Sequence, residues 1–416
     1  MKRARGLLPD LPGPAWIVLG GDAVSALGSG LTLPFFVVYL HEARGLGLAL
    51  AGLALAVVAG AGLAGNPLGG WLSDRVGPRD ALVVGLVVAA AGSLGVALVR
   101  EPWQAFAAAA VLGLGVAICW PALDALLAAV VAPERRAAAF GVRHATLNAG
   151  FGLGALLAAV LLAGGSPSRL ALLYVLDGLS FLALAVLLFA VPALGHKASV
   201  DAGEGGASGG YRQVARDPLF RRLWALMALL VAAGYAQYHA AFPAYAAAAD
   251  GVGARGLSLA FAANACTVVG AQLVMLRLLA GRRRTSGVAL VGALFAVAWG
   301  ITLLAGQLTG AGAMALFALA MVVLGLAETA LAATMPALVN DLAPERLRGR
   351  YNGAFALAWT SGFIIGPLLA GPALSAGLGD ALLAVLMAAC VVAVLAAKRL
   401  ERTLPPALNL TPAVAA

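Results

Sequence analysis

Twelve apolar runs, each close to or above 20 residues, follow one another along this chain with only short polar breaks between them. A helix needs about 20 apolar residues to cross ~30 Å of hydrocarbon. In that medium each backbone N–H and C=O must be satisfied within a helix or a closed barrel. Ten-residue stretches of alternating polarity, the mark of a transmembrane barrel, do not occur. The runs therefore predict an all-α polytopic membrane protein. Charge agrees: 11% of the 416 residues are charged and 62% are hydrophobic, against about 25% and about 45–50% in average soluble proteins.

The predicted spans are roughly 15–40, 47–72, 80–99, 103–131, 138–164 and 169–191, then 220–248, 256–280, 286–307, 312–340, 350–376 and 378–397. They divide the chain into a six-helix bundle at 1–192, a linker at 193–219, a second six-helix bundle at 220–400 and a tail at 401–416. Within the linker, the Gly/Ser/acid stretch Ser199 to Gly210 reads as flexible. Tyr211 to Arg216 reads as a basic amphipathic segment at the headgroups of the cytoplasmic leaflet.

Basic residues exceed acidic ones by 27 to 18, but they are scattered through short loops and form no nucleic-acid footprint. In a membrane protein they report orientation. With both termini cytoplasmic, only Arg44, Arg100, Arg169 and Arg255 fall on the far side, and Arg277 sits near a helix end. The expectation is a multi-pass protein of a plasma (bacterial inner) membrane, N-in and C-in, working as a monomer in the lipid bilayer. Lys2, Arg3 and Arg5 precede Pro9, Pro12 and Pro14, so the start reads as a retained tail, not a cleaved signal. Cys119, Cys266 and Cys390 all lie inside apolar runs and suggest no disulfide framework.

The halves repeat one another. Ala132-Pro133-Glu134-Arg135 recurs as Ala343-Pro344-Glu345-Arg346, and Pro121-Ala122-Leu123 as Pro336-Ala337-Leu338. Pro34 before Tyr39 is echoed by Pro243 before Tyr245, all at offsets of about 210 residues. Two like-oriented halves imply a pseudo-two-fold axis along the membrane normal, with a substrate path between them.

Between the second and third runs lies Gly69-Gly70-Trp71-Leu72-Ser73-Asp74-Arg75-Val76-Gly77-Pro78-Arg79, read as a short polar hairpin. It resembles the signature loop G-x-L-x-D-R-x-G-R-[RK] of the major facilitator superfamily, through Gly70, Asp74, Arg75, Gly77 and Arg79. The Pro-Glu-Arg loops and Gly366-Pro367 support the resemblance, which covers essentially the whole chain. Tyr211 to Phe220, leading into Gly234-Tyr235-Ala236-Gln237, is similar to bacterial multidrug efflux members. Three features depart from the drug/proton pattern. Pro78 replaces a basic residue, no Arg occurs within Ala107 to Ala110, and Gly150 to Ala155 lacks a Gly-Pro pair. The second-half counterpart of the loop is only Gly281-Arg282-Arg283-Arg284.

The loop has its own physical logic. Small residues let helices approach closely in a membrane, and Asp74, placed just past the end of span two, suits the positive N-terminal end of another helix. The resemblance implies span eleven as that helix and a latch on the cytoplasmic face as the role. A solvated turn with Arg75 and Arg79 at the headgroups is the alternative.

Ionisable residues within spans are costly and face protein or water. Asp22, Asp124, Arg143, His144 and Asn148 fall in the cytoplasmic third of the first half, as either a proton-exchanging cluster or a permanent ion pair. Glu328 stands near the middle of span ten with no Lys or Arg close in sequence. A carboxylate at that depth is costly as an anion, so proton carriage or binding of a cation would both use it. Asp177 in span six reads as structural. Tyr235 and Gln237 are candidates to line a cavity, while Tyr39, Tyr238 and Phe242 also suit an interfacial belt. No Walker loop, metal spacing or nucleophile elbow occurs, so no cofactor is expected and the chain does not read as an enzyme. The leading expectation is a secondary transporter exporting small amphipathic compounds or drugs by alternating access, coupled to protons. Import of a sugar or organic acid, uniport, and a non-transporting scaffold or sensor are the alternatives.

Overall fold

A computed structural model describes residues 9–162, 167–191, 210–247 and 253–411. The stretch predicted as a flexible linker before Gly210, the first eight residues and the last five lie outside the described residues. Among the described residues, eleven helices are long and apolar enough to cross a membrane. The run predicted at 138–164 is a further helix, Arg136–Leu162, which carries Arg143, His144 and Asn148. Each predicted span thus corresponds to a helix, and no strand occurs among the described residues beyond one isolated bridge.

In chain order, span one is Gly13–Thr32, extended by irregular turns to Ala43, and spans two to six are Leu48–Val76, Pro78–Ala97, Pro102–Val130, Arg136–Leu162 and Pro167–Leu187. A linker helix, Gly210–Arg216, precedes span seven, which begins at Pro218–Leu230 and continues through a π-turn at Val231–Tyr235 to Ala247. Spans eight to twelve are Gly253–Leu279, Arg284–Ala305, Gly310–Leu342, Arg348–Ser375 and Gly379–Glu401.

Local chemistry sets the ends. Spans three, four and seven start with Pro at the first helical position, where its missing N–H costs nothing. Gln104 reaches back to the Glu101 N–H in a capping box at span four. Asp217 caps span seven by accepting from Leu219 N at 2.9 Å and Phe220 N at 3.1 Å. Pro121 and Pro336 sit inside spans four and ten, and short 3-10 turns containing Glu134-Arg135 and Glu345-Arg346 precede spans five and eleven. The repeat in sequence is therefore a repeat in structure.

Buried apolar side chains gather in two large clusters, one drawn from residues 18–191 and the other from 214–404. The halves meet where span two packs on span eleven and span five packs on spans eight and ten. The start of the described chain lies against the turn before span five, with Asp10 bonded to Arg135 at 2.9 Å. Its end lies on the turn between spans eight and nine. Both ends thus share one face, here called the basic face. Among the described residues, hydrogen bonds between the halves fall within about 18 Å of it, from 1.5 Å of rise per residue. They run from Asp74 with Gly349 to Asn66 with Thr360 (3.0 Å).

Two expectations need correction. The stretch Gly69 to Arg79 is not a hairpin loop, because span two continues as helix through Asp74 to Val76 and span three starts at Pro78. The turn is the single residue Gly77, at φ 95°, a conformation only glycine adopts without strain. Polar residues in the last turn of a helix look like loop when read as a run of hydropathy. The basic segment Tyr211 to Arg216 is also not merely interfacial. It is a helix whose Val214 is buried in the second cluster, while Arg212 and Arg216 remain exposed.

The end of the described chain closes the short turn at Gly281. Gly281 N donates to Thr411 O (3.1 Å), and Thr411 N donates to Arg282 O (2.9 Å). Asn409 Oδ1 accepts from Thr285 N at 3.0 Å, capping span nine from a distant segment because Arg283 provides no side-chain cap of its own. Asn409→Ala is expected to cost about 1 kcal/mol, the usual loss of an N-cap, read as a lower thermal midpoint in detergent. An unchanged midpoint would show that the cap contributes nothing.

Candidate functional site

The seam between the halves carries two chemical groupings, one at the basic face and one deeper. At the basic face Asp74, in the last turn of span two, meets the N-terminus of span eleven. Gly349 N donates to Asp74 Oδ1 at 2.6 Å and Arg350 N donates to Oδ2 at 3.1 Å, with Arg350 Nη1 at 3.6 Å. These are free N–H groups of a first helical turn, and a carboxylate is the group they favour. The approach depends on glycine. A Cβ on Gly349 would collide with the Gly70 carbonyl and Asp74 Oδ1, and one on Gly70 would collide with the Gly349 carbonyl. Arg75 lies over the Trp71 ring at 5.2 Å. Arg79 bonds Asp80 at 2.8 Å and the Val191 carbonyl at 3.2 Å. The signature residues thus divide, with Gly70 and Asp74 at the seam and Arg75 and Arg79 within the first half.

A second inter-half contact at this face was not read from the sequence. Asp341, at the end of span ten, bonds Arg136 of span five and forms an ion pair with Arg284 of span nine at 2.7 Å. Tyr211 of the linker helix also reaches the seam, its hydroxyl donating to the Pro67 carbonyl of span two. Burial, with Asp74 nearby, pushes the Tyr211 hydroxyl above the usual tyrosine range, so it remains a donor.

Deeper in the seam sits Glu328 of span ten, 2% exposed. Its Oε1 accepts from Asn264 Nδ2 of span eight at 2.9 Å, and Tyr235 of span seven lies beside the same carboxyl. Across the seam, His144 Nε2 of span five lies 3.8 Å from Glu328 Oε2. The amide of Asn148 lies 3.3 Å from the same ring nitrogen. The carboxyl therefore has no Lys or Arg partner among the described residues, as the sequence suggested, but has a titratable partner in the opposite half. His144 was seen only as part of the Arg143 grouping. Nothing in the sequence ties it to Glu328, 184 positions away, except the helical fact that adjacent residues point about 100° apart.

Arg143 points the other way, into its own half. Its Nε is 2.9 Å from Asp22 Oδ2 and its Nη1 is 2.5 Å from Asp124 Oδ1. The guanidinium lies over the Trp120 ring at 4.8 Å. Spans one, four and five thus bring three of the five predicted residues together, Arg143 as one cation between the carboxylates of Asp22 and Asp124, while His144 and Asn148 face the other way. The Arg143 side chain is 8% exposed, so the triad is held largely away from water. Asp177 lies elsewhere in the first half, accepting from Ser93 at 2.9 Å and from Ser29 and Thr32 at 3.3 Å. Those bonds tie spans one, three and six to one another.

Aromatic side chains cluster beside Glu328. Tyr235 meets Trp359 at 4.9 Å and Phe363 at 5.9 Å, while Tyr238 meets Phe261 at 5.1 Å and His239 at 4.2 Å, centroid to centroid. Phe363 and His239 are exposed, and Tyr235, Tyr238 and Trp359 are partly so. Gln237 differs from the expectation. It is fully buried, its Nε2 bonding the Ala232 and Gly366 carbonyls at 3.1 Å each, and so it braces span seven against span eleven instead of lining a cavity. Tyr39 and Phe242 do not form an interfacial belt either. Tyr39 is buried against Tyr174 at 4.7 Å and takes a bond from Arg44 at 2.7 Å, and Phe242 packs on Phe261 and Phe317. Depth along a helix can be read from sequence, but the direction a side chain faces cannot.

Comparison with known proteins gives a consistent family. The sequence model of the Major Facilitator Superfamily matches residues 18–367 and again 281–415. Over 371 residues the chain is 27% identical to the MFS-type transporter YttB of Bacillus subtilis, covering 87% of this chain and 88% of that protein. Shorter matches join it to a Na(+), Li(+), K(+)/H(+) antiporter of Planococcus maritimus (33% over 136 residues, 32% of each chain). Another joins it to the multidrug resistance protein MdtH of Cronobacter sakazakii (28% over 151 residues, 35% and 37%). Among solved structures, the transporter FucP in its outward conformation superposes with a TM-score of 0.73 at 15% identity, over 92% of this chain and 98% of that one.

Proposed function

The chain belongs to the major facilitator superfamily of membrane transporters, and from that premise we propose that it exports small amphipathic, cationic compounds in exchange for protons. The observation that carries this reading is the Glu328 carboxyl. It is buried at the seam, bonded by Asn264, faced by His144 from the other half, and flanked by Tyr235 and other partly exposed aromatic rings. A lone carboxylate there can be neutralised by a proton or by a cation seated against aromatic faces. Because both use one site, binding of one displaces the other, which is the minimum an antiporter needs. MdtH is named a multidrug resistance protein and the P. maritimus relative a cation/proton antiporter, and both names agree with this chemistry.

The basic face is read as cytoplasmic, since Lys and Arg are concentrated there. Alternating access then follows from where the halves touch. With Asp74 on the span-eleven N-terminus and Arg136 on Asp341, the cytoplasmic side is shut. Opening it requires those bonds to break as the halves rock. His144 adds a link between the two events, because rocking moves span five relative to span ten and so moves His144 relative to Glu328.

Reconstituted vesicles with an imposed pH gradient test the proposal. Amphipathic cations such as ethidium are expected to move against their own gradient when protons flow the opposite way, and dissipating the gradient should stop them. Flux that ignores the gradient would overturn proton coupling. Movement of sugars or organic acids alone would overturn the substrate class.

A further inference from the structure

One aromatic side chain from outside both bundles reaches the crossing of spans two and eleven. The Tyr211 hydroxyl donates to the Pro67 carbonyl of span two. A Cβ on Gly70 would meet that hydroxyl at 2.7 Å, and one on Gly353 of span eleven would meet it at 2.8 Å. Gly70 and Gly353 belong to different halves, and Asp74 lies one helical turn beyond Gly70. A single phenol therefore touches both sides of the seam beside the Asp74 contact. Its helix is anchored at both ends. Val214, on the same face as Tyr211 by its three-residue spacing, is 1% exposed. Asp217, which follows the helix, accepts from the Tyr351 hydroxyl of span eleven at 2.7 Å while capping span seven.

We propose that Tyr211 is a positioning residue of the gate, a wedge carried by the linker that bonds span two across Gly353 of span eleven and holds the basic face shut. The open-to-closed balance is then set by the linker helix as well as by Asp74. This gives the segment joining the halves a direct hold on their movement. Displacing the linker helix releases the Pro67 bond and the contact with Gly353 together. The inference rests on the reading of Asp74 as a gate contact.

Spin-label distances across the basic face, measured on the full chain in nanodiscs without substrate, separate the two claims. Labels at Glu134 and Glu345, both exposed, report the opening in a background lacking Cys119, Cys266 and Cys390. Tyr211→Ala is expected to raise the ratio of long-distance to short-distance populations more than fivefold, because the ring is lost together with one hydrogen bond, itself on the scale of about fivefold. Tyr211→Phe, which keeps the ring, should raise it less and carries the test if the alanine variant fails to fold. Arg212→Ala, at an exposed neighbour, should leave it unchanged. Asp74→Asn is expected to raise it about tenfold or more, because charge-assisted bonds are lost. Parent-like distances in both Tyr211 variants would overturn the wedge while the gate reading stands on Asp74→Asn. Parent-like distances in Asp74→Asn as well would overturn both.

Discussion

Glu328→Gln is expected to abolish pH-driven flux in reconstituted vesicles while leaving the protein folded. Glutamine keeps the size of the side chain and can still accept from Asn264 Nδ2. It cannot take up or release a proton, and it offers no charge to a cation seated against Tyr235, Tyr238 and Trp359. Both halves of the exchange are therefore lost in a single substitution, and residual flux should match empty vesicles. Thermal unfolding should stay close to the parent, since a neutral amide in that site needs no compensating charge. Transport at parent levels would remove Glu328 from the mechanism and leave the aromatic cluster as packing.

Arg143→Met is expected to produce the largest loss of stability of any substitution considered, about 3–5 kcal/mol, because it leaves buried charge without a partner. Here one guanidinium serves two carboxylates, Asp22 and Asp124, and also covers the Trp120 ring. The loss is read as a lower thermal midpoint in detergent. Replacing all three together (Asp22→Asn, Asp124→Asn and Arg143→Met) removes the charges as a set and should recover most of the stability, as apolar or neutral replacements of buried ion pairs do. The triple variant is also expected to retain pH-driven flux, which would identify the triad as structural. A stable triple variant without such flux would assign the triad to proton exchange. A single Arg143→Met variant as stable as the parent would mean that the triad is not held away from water.

These expectations differ in how far they could have been written from the sequence. That Asp22, Asp124 and Arg143 share one region follows from depth, since each lies a few turns from the same end of its span. The ion pairs themselves follow from little more, because oppositely charged groups at one depth in hydrocarbon have few other partners. Asp74 was also legible, both from its position at the end of an apolar run and from its resemblance to the family loop. Its surroundings were less so. Sequence placed it in a hairpin, whereas helix persists to Val76 because one glycine at positive φ suffices to reverse the chain before Pro78.

His144 shows where reading by depth stops. It is adjacent to Arg143, yet one faces spans one and four and the other faces span ten. Gln237 and Phe242 failed as cavity or belt residues for the same reason, for both are turned into protein.

The chain by itself determined the twelve spans, their order, the two repeated halves and the excess of basic charge on one face. Each of those depends on hydropathy or charge summed over a local window, and the bilayer imposes the same window on any helix. Only the tertiary structure decided which helices touch, which way their side chains point, and that Tyr211 and His144 enter the seam. Such contacts join residues more than a hundred positions apart, and they depend on rotations of each helix about its own axis that close packing selects and no local run of residues records.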